Sequence, residues 1–371
     1  MSKRILITGG AGFIGSHLAD ELLEHGYQVR VLDNLSPQVH GPASKCPDYL
    51  NSDAEFVKGD VCSPATVREV LQGIDAVFHF AAAVGVGQSM YQVHRYTNVN
   101  NIGTAVLLEQ LVENAVGKLV VASSMSVYGE GLYRDAAGNR VDYAERSLGQ
   151  LKSCCWELTD SAGDQLRPVA TPESKHPSLA SIYALSKYDQ ERMCLMMGKA
   201  YNIPTLALRF FNVYGSRQAL SNPYTGVLAI FASRFLNGKS PLIFEDGNQC
   251  RDFVCVKDVV RGCRLALESS ASDDVFNIGS GRCYTVNEIA SQMAKVLDKQ
   301  NIVPHISGKY RVGDIRHCFS DISKAQRSLG YEPQVDLAQG LGELAEWLGG
   351  QIAHDQVEMA NAELAKRGLA V

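Results

Sequence analysis

The 371-residue sequence has no run of the roughly 18 apolar residues that a membrane-spanning helix needs. The longest candidate, Ala76 to Gly87, is interrupted by His79 and by glycines. Nor is there an excess of positive charge. The formal net charge is -5, so the overall field draws neither a nucleic-acid backbone nor an anionic membrane surface. Ten cysteines are present, but none stand at metal-ligand spacing: Cys154 and Cys155 are adjacent, and Cys250 and Cys255 lie on either side of Arg251–Val254. That excludes the usual zinc arrangements, so no metal site is expected. No separate apolar leader follows Met1-Ser-Lys-Arg4, which predicts a cytoplasmic chain with free thiols. Internal repeats and low-complexity tracts are missing too. Any anionic ligand must therefore be held by local donors.

What is there is an alternation of strand and helix. Short, dense apolar runs near residues 4–8, 28–32, 75–80 and 118–122 suit parallel strands covered on both faces, with a weaker run at 55–58. Amphipathic segments near 13–25, 64–72 and 101–115 fall between them. The pattern predicts an α/β fold: a doubly wound (Rossmann) parallel sheet whose ligand lies at the carboxyl ends of the strands. Residues 130–182 break the rhythm and read as a long insertion in a domain spanning 1–215. A helix over Tyr183–Tyr201 and a strand at Thr205–Phe211 follow. Residues 216–345 read as a smaller mixed α/β lobe interleaved with the first domain, and 346–371 as a largely solvated helical tail.

Two stretches carry chemistry. In Ile5-Leu-Ile-Thr-Gly-Gly-Ala-Gly-Phe-Ile-Gly15, Gly9, Gly12 and Gly15 fall on the turn from the first strand into the first helix. A pyrophosphate must approach that backbone closely, and the helix N-terminus supplies free N–H groups. Phe13 and Ile14 open the helix. Asp33 ends the second strand, where a carboxylate suits ribose hydroxyls and repels a 2′-phosphate; NAD is therefore expected rather than NADP. Asn34, Asp60 and Val61 belong to the adenine side, and Phe80, Ala81 and Ala82 supply small residues beside the cofactor. In the second stretch, Tyr183-Ala-Leu-Ser-Lys187 puts a phenol and an ammonium on one helix face. A cation at ~4 Å and an effective dielectric of ~20 favours the phenolate by roughly 4 kcal/mol, about three pKa units. That is enough to make Tyr183 a usable base.

With Ser124 before Val127-Tyr-Gly129, Asn100 in Asn-x-x-Gly-Thr, Arg209-Phe-Phe-Asn-Val-Tyr-Gly215, Arg251-Asp-Phe-Val-Cys-Val-Lys-Asp258 and Arg311-Val-Gly-Asp314, the chain resembles the extended short-chain dehydrogenase/reductases that epimerise or dehydrate nucleotide sugars. The resemblance spans residues 4 to about 345. It implies bound NAD, contacted also by Asn100, Ser123 and Phe210, and a dTDP- or UDP-hexose as substrate. It further implies a homodimer. By matching position, Tyr183 is the base, Lys187 lowers its pKa and holds the cofactor ribose, and Ser124 hydrogen-bonds the reacting hydroxyl. Asn212, Arg251 and Arg311 would hold the diphosphate and Asp314 the nucleoside ribose; two arginines and an amide suit that task. Ser126, Thr225, Gly226, Val227, Ile243 and Phe244 are the remaining expected substrate contacts. Relatives that dehydrate a hexose carry Asp-Glu directly after the Ser/Thr, where this chain has Met125-Ser126. The implied reaction is therefore 4-epimerisation, ahead of net oxidation or reduction and of dehydration.

Overall fold

The computed structural model describes residues 2–220, 226–311, 313–351 and 357–369. Seven parallel strands form its central sheet: β1 (Arg4–Thr8), β2 (Gln28–Asp33), β3 (Glu55–Lys58), β4 (Ala76–His79), β5 (Lys118–Ser124), β6 (Thr205–Phe210) and β7 (Asp274–Ile278), in the order β7-β6-β5-β4-β1-β2-β3. Alternate residues of each buried strand feed opposite faces. Ile5 and Ile7 of β1 join one core with α1 (Phe13–Glu24) and a later helix, while Leu6 joins the other with α2 (Gly103–Glu113) and α3 (Ile182–Tyr201). Coverage on both faces explains why these strands read as unbroken apolar runs. Strand order reverses between β1 and β4, so a crevice opens at their carboxyl ends.

After α4 (Val227–Leu236), α5 (Val256–Glu268) belongs to the core of the sheet, and the second lobe is built on α4, α6 (Val286–Val296) and α7 (Leu337–Leu348). Helices α4, α6 and α7 bury Phe231, Phe235, Ile289, Met293, Leu341 and Leu344 in a core of their own. A capping box at Thr285 and Glu288 starts α6, and α5 returns to pack on α1. Unlike the free loop suggested by its composition, 130–182 contains a small antiparallel sheet, with Leu132–Arg134 between Arg140–Val141 and Arg167–Val169, over Tyr133, Leu158 and Leu166. Strands of two or three residues are too short to leave a periodicity.

An ionic cluster joins this insertion to the second lobe. Arg316, 1% exposed, meets Glu157 of the insertion at 2.6 Å, Glu245 at 2.9 Å and Asp246 at 2.7 Å. Arg146 of the insertion meets Glu245 at 2.7 Å and donates to the Asp314 carbonyl at 3.0 Å. Most described side chains of the tail helix Val357–Lys366 are exposed, but Leu364 is buried and Arg367 stacks on the Tyr91 ring at 4.2 Å.

Hydrogen bonding from His317 and Arg316 outweighs partial burial and holds Glu157 at about 2, below its ordinary 4.5. A depressed carboxylate stabilises the fold fully above its unfolded value and loses that contribution as pH falls toward the folded one. Thermal melts of Glu157→Gln should therefore lie below wild type at pH 7, with the gap closing between about pH 4.5 and 2. A gap that stays constant with pH would show that the carboxylate charge has no part in joining the insertion to the lobe.

Candidate active site

The glycine turn has the shape that a dinucleotide demands. Gly9 has φ +71°, and a Cβ there would lie 2.8 Å from the Ala81 nitrogen; one at Gly15 would lie 2.5 Å from the Gly9 carbonyl oxygen. These close approaches bring β1, the segment after β4 and the start of α1 together. Gly12 caps α1 without a side-chain hydrogen bond, so no side chain covers the helix's first N–H groups. Asp33 accepts from the Ala11 N–H at 3.1 Å and the Leu35 N–H at 2.9 Å, bracing the turn from the second strand. Asn34 donates to Asp60 at 3.0 Å, Asp60 also accepts from the Cys62 N–H, and Val61 packs beneath Gly103. Although burial opposes it, those hydrogen bonds keep the Asp60 carboxyl below its usual range. Phe80 meets Phe210 edge to face at 5.7 Å, and Phe13 and Ile14 pack partly against the core. The residues present fit NAD.

Ser124 ends β5 and accepts from the Ser126 N–H at 3.2 Å and the Ser126 hydroxyl at 2.9 Å, capping a short 3₁₀ turn over Met125–Tyr128. Helix α3 starts at Ser181, whose hydroxyl accepts from the Ala184 N–H, and it brings Tyr183 to the cavity beside Ser124. The Tyr183 N–H donates to Ser89 at 3.0 Å, tying the helix to the Val84–Met90 segment. The electrostatics differ from the sequence-based expectation. Burial raises the Tyr183 phenol above 10, and the group that pulls it down is Ser124, not Lys187. The reason is local: Lys187 Nζ donates to Gln190 at 2.8 Å, and burial lowers Lys187 itself to about 8.

Above these groups a cavity of about 380 Å³ lies between the sheet and the second lobe. Ser124, Ser126, Tyr183 and Asn212 line it from the sheet side; Gly226, Val227, Ile243, Phe244, Arg251, Arg311 and Asp314 line it from the lobe. Thr225, expected beside them, lies outside the described residues. Arg311 stacks on Phe244 at 4.4 Å and meets Asp314 at 3.1 Å, while Arg251 lies 3.6 Å from Asp314. Burial works against the Asp314 charge, yet Arg311, Arg251 and Arg146 together hold its pKa low. Arg251 is further fixed by the carbonyls of Cys250, Ile315 and Arg316. Buried Asn212 Oδ1 has no hydrogen-bond partner among the described residues. Asn amides present either edge, so this one can offer a donor to a ligand in the cavity.

The sequence profile of the NAD dependent epimerase/dehydratase family matches residues 5–148 and 150–279. The chain belongs to this family. Among its relatives, dTDP-L-rhamnose 4-epimerase of Burkholderia thailandensis is 35% identical over 356 residues, covering 94% of this chain and 96% of the relative. The UDP-glucose 4-epimerase of Thermotoga maritima, solved with UDP-glucose, superposes with TM-score 0.75 at 33% identity, over 93% of this chain and 98% of that one. The UDP-glucuronic acid 4-epimerase of Bacillus cereus, solved with its nucleotide sugar and NAD, gives TM-score 0.76 at 30% identity, over 93% and 99%. As a member of the epimerase/dehydratase family, the chain is an NAD-dependent enzyme with a Rossmann sheet.

In this family member, Ser123 and Asn100, both expected beside the cofactor, also brace the fold. Ser123 donates to Glu191 on α3 at 2.7 Å, and Asn100 holds both the N–H and the carbonyl of Ala83 and donates to Ser186. A buried polar chain was missed by sequence reasoning altogether. From Lys187 it runs through Gln190 to Thr104 at 2.8 Å and His79 at 3.2 Å, and His79 lies 2.8 Å from Thr8 Oγ1, which accepts from the Phe80 and Ala81 N–H groups. Burial and Lys187 push His79 down to about 3, so it acts as a neutral spacer. Its members come from four elements, and no linear spacing announces them. The glycine turn yields a direct test: Gly15→Val should fold but co-purify with little or no NAD, measured as nucleotide released on denaturation. Retention of stoichiometric NAD would show that the turn tolerates a side chain where its own carbonyl stands.

Proposed function

We propose that the chain is a nucleotide-sugar 4-epimerase, with dTDP-L-rhamnose or a closely similar dTDP-6-deoxyhexose as substrate. The observation that carries the reaction type is the set of acids around Tyr183. Asp314 is the one carboxylate among the described cavity-lining residues, and it is engaged by Arg311 and Arg251. Met125 is 8% exposed and packed with Val127, and the Ser126 hydroxyl is turned to Ser124. Neither can take up a C5 proton or protonate a departing C6 hydroxyl, which dehydration requires.

When bound, NAD supplies a reversible hydride acceptor. Tyr183 takes the proton of the C4 hydroxyl beside Ser124, and returns it after the keto-sugar has turned its other face. Lys187, fixed by Gln190, holds positive charge beside the cofactor ribose. Asn212, Arg251 and Arg311 hold the diphosphate, with Asp314 at the nucleoside ribose. The nucleotide end stays anchored while the sugar turns, so no net redox change occurs.

Two features support a deoxysugar. The Val84–Met90 segment, tied to Tyr183 through Ser89, presents Val84, Val86 and Met90 to the cavity. These carbons suit a C6 methyl better than a C6 hydroxyl. The cations among the described lining residues, Arg251 and Arg311, both stand at Asp314, which argues against a uronate. The 35% identity to dTDP-L-rhamnose 4-epimerase points the same way.

The purified chain should convert dTDP-L-rhamnose to an equilibrium with its C4 epimer, read from anomeric NMR signals, with no stoichiometric rise at 340 nm. Turnover of UDP-glucose or UDP-glucuronate in its place would transfer the assignment to those sugars. A free 4-keto-6-deoxy product would reject epimerisation. Tyr183→Phe should lose roughly 10²–10⁴-fold in turnover while its NAD content stays unchanged; activity within a few-fold of wild type would remove Tyr183 as the base.

A further inference from the structure

A group of reactive side chains lies behind the nucleotide end of the cavity, outside the roles assigned so far. A three-stranded patch places Cys250–Arg251 between Tyr284–Thr285, antiparallel, and His317–Cys318, parallel. Cys250 pairs with Thr285, so Cys283, two residues before Thr285, is its diagonal neighbour on the same face. The two thiols act on each other: Cys283 favours the charged form of Cys250, and Cys250 disfavours that of Cys283. On the other side the Cys250 N–H donates to His317 Nδ1 at 3.1 Å, and His317 Nε2 lies 2.9 Å from Glu157. The turn before Cys283 is pinned to the same strand, because buried Asp252 accepts from the Ser280 N–H and hydroxyl and the Gly281 N–H. Cys283 is exposed and Cys250 half-buried, so small solutes reach both.

The pair is polarised. Cys283, together with His317 and the Arg251 charge, lowers the Cys250 thiol well below its ordinary range in spite of burial. Cys250, with burial, raises Cys283, which keeps its proton. Burial works against a charged His317, yet Cys250 and Glu157 outweigh it and raise its pKa. A Cys250 thiol of lowered pKa beside the His317 ring and an adjacent protonated thiol form a nucleophile with its resolving partner.

We propose that Cys250 and Cys283 form a peroxide-sensitive dithiol whose closure to a disulfide weakens nucleotide binding in the substrate cavity. The covalent step balances with hydrogen peroxide as oxidant. The Cys250 thiolate attacks one peroxide oxygen, forming S–O and breaking O–O; the departing hydroxide takes a proton and leaves as water. The Cys283 sulfur then attacks the sulfenic sulfur, S–S forms, S–O breaks, and a second water leaves with the Cys283 proton. Two thiols lose two electrons, which the peroxide receives.

The coupling to the cavity is mechanical. Diagonal ladder partners stand wider apart than the ~3.5–4.5 Å Cβ separation of a disulfide, so closure draws the Cys250–Arg251 strand toward the Cys283 turn. The Arg251 guanidinium takes its position from the carbonyls of Cys250, Ile315 and Arg316, at 2.9, 2.6 and 2.9 Å. Moving one of these carbonyls shifts an arginine that lines the cavity.

The covalent step stands independently of the proposed function; only its effect on binding rests on that reading. The test treats the full chain with graded hydrogen peroxide and follows intact mass, disulfide-linked peptides, and dTDP and UDP affinity by calorimetry. The expected result is a loss of about 2 Da from a Cys250–Cys283 link, formed before oxidation of exposed Cys46, Cys154 or Cys155. Nucleotide affinity should fall about tenfold, equivalent to ~1.4 kcal/mol, NAD should be retained, and dithiothreitol should restore binding. Cys283→Ser should show neither the mass loss nor the drop in affinity under peroxide. A link elsewhere, oxidation of Cys250 no faster than of Cys46, or a Cys250–Cys283 link with unchanged nucleotide affinity would each overturn the proposal. If the reduced chain binds neither nucleotide, the functional reading fails, and the peptide map still decides whether the dithiol forms.

Discussion

Everything at the reacting end depends on how α3 is fastened to the sheet, and a buried ion pair does the fastening. Glu191 presents both oxygens to Arg209 of β6, at 2.9 and 2.6 Å, and takes a further hydrogen bond from Ser123 of β5. Arg209 in turn lies over the Tyr128 ring at 4.7 Å. Tyr183, Lys187 and Glu191 follow each other at four-residue intervals, so the clamp sets the height and rotation of the helix face that carries the phenol and the amine. Removing one partner of such a pair leaves an uncompensated buried charge, costing about 3–5 kcal/mol. The serine at 123 belongs to this clamp and its neighbour at 124 to the cavity, because successive residues of a strand face opposite sides.

Much of the fold was legible because it is periodic or because it is glycine. Strands β1 to β7 are covered on both faces and announce themselves as apolar runs; the turn at Gly9–Gly15 announces itself because no Cβ fits there. Tyr183 and Lys187 were legible from spacing on a helix. Their electrostatics were not, since that depends on which partner Lys187 finds, and its partner Gln190 is drawn into a buried chain by Thr104 and His79. Composition likewise hid the order within 130–182. The insertion is held by charges at Arg146, Glu157 and Arg316 that look, in a linear reading, like an ordinary solvated surface.

The proposed substrate carries a dianionic diphosphate, which an acidic protein can meet only with locally concentrated positive charge. Here Arg251 and Arg311 are gathered at Asp314, and Arg146 of the insertion reinforces the same point through the Asp314 carbonyl. The insertion thus acts on the cavity from behind. The net charge of -5 and the local arginine group are compatible because charges on the far surface lie beyond a Debye length of about 10 Å and are largely screened there.

The last helix adds a constraint of a different kind. Leu364 and Leu369 form part of the cavity wall, with Leu364 set against Gly87, and other parts of the wall come from segments near residues 84 and 124. Chains emerge from the ribosome N-terminus first, and domains generally fold as they emerge. The glycine turn and its neighbouring strands can therefore assemble early, while the sugar chamber has no complete wall until residues 364–369 have been made. Residues 364–369 thus close a cavity whose other walls, drawn from residues 84 to 315, are already made.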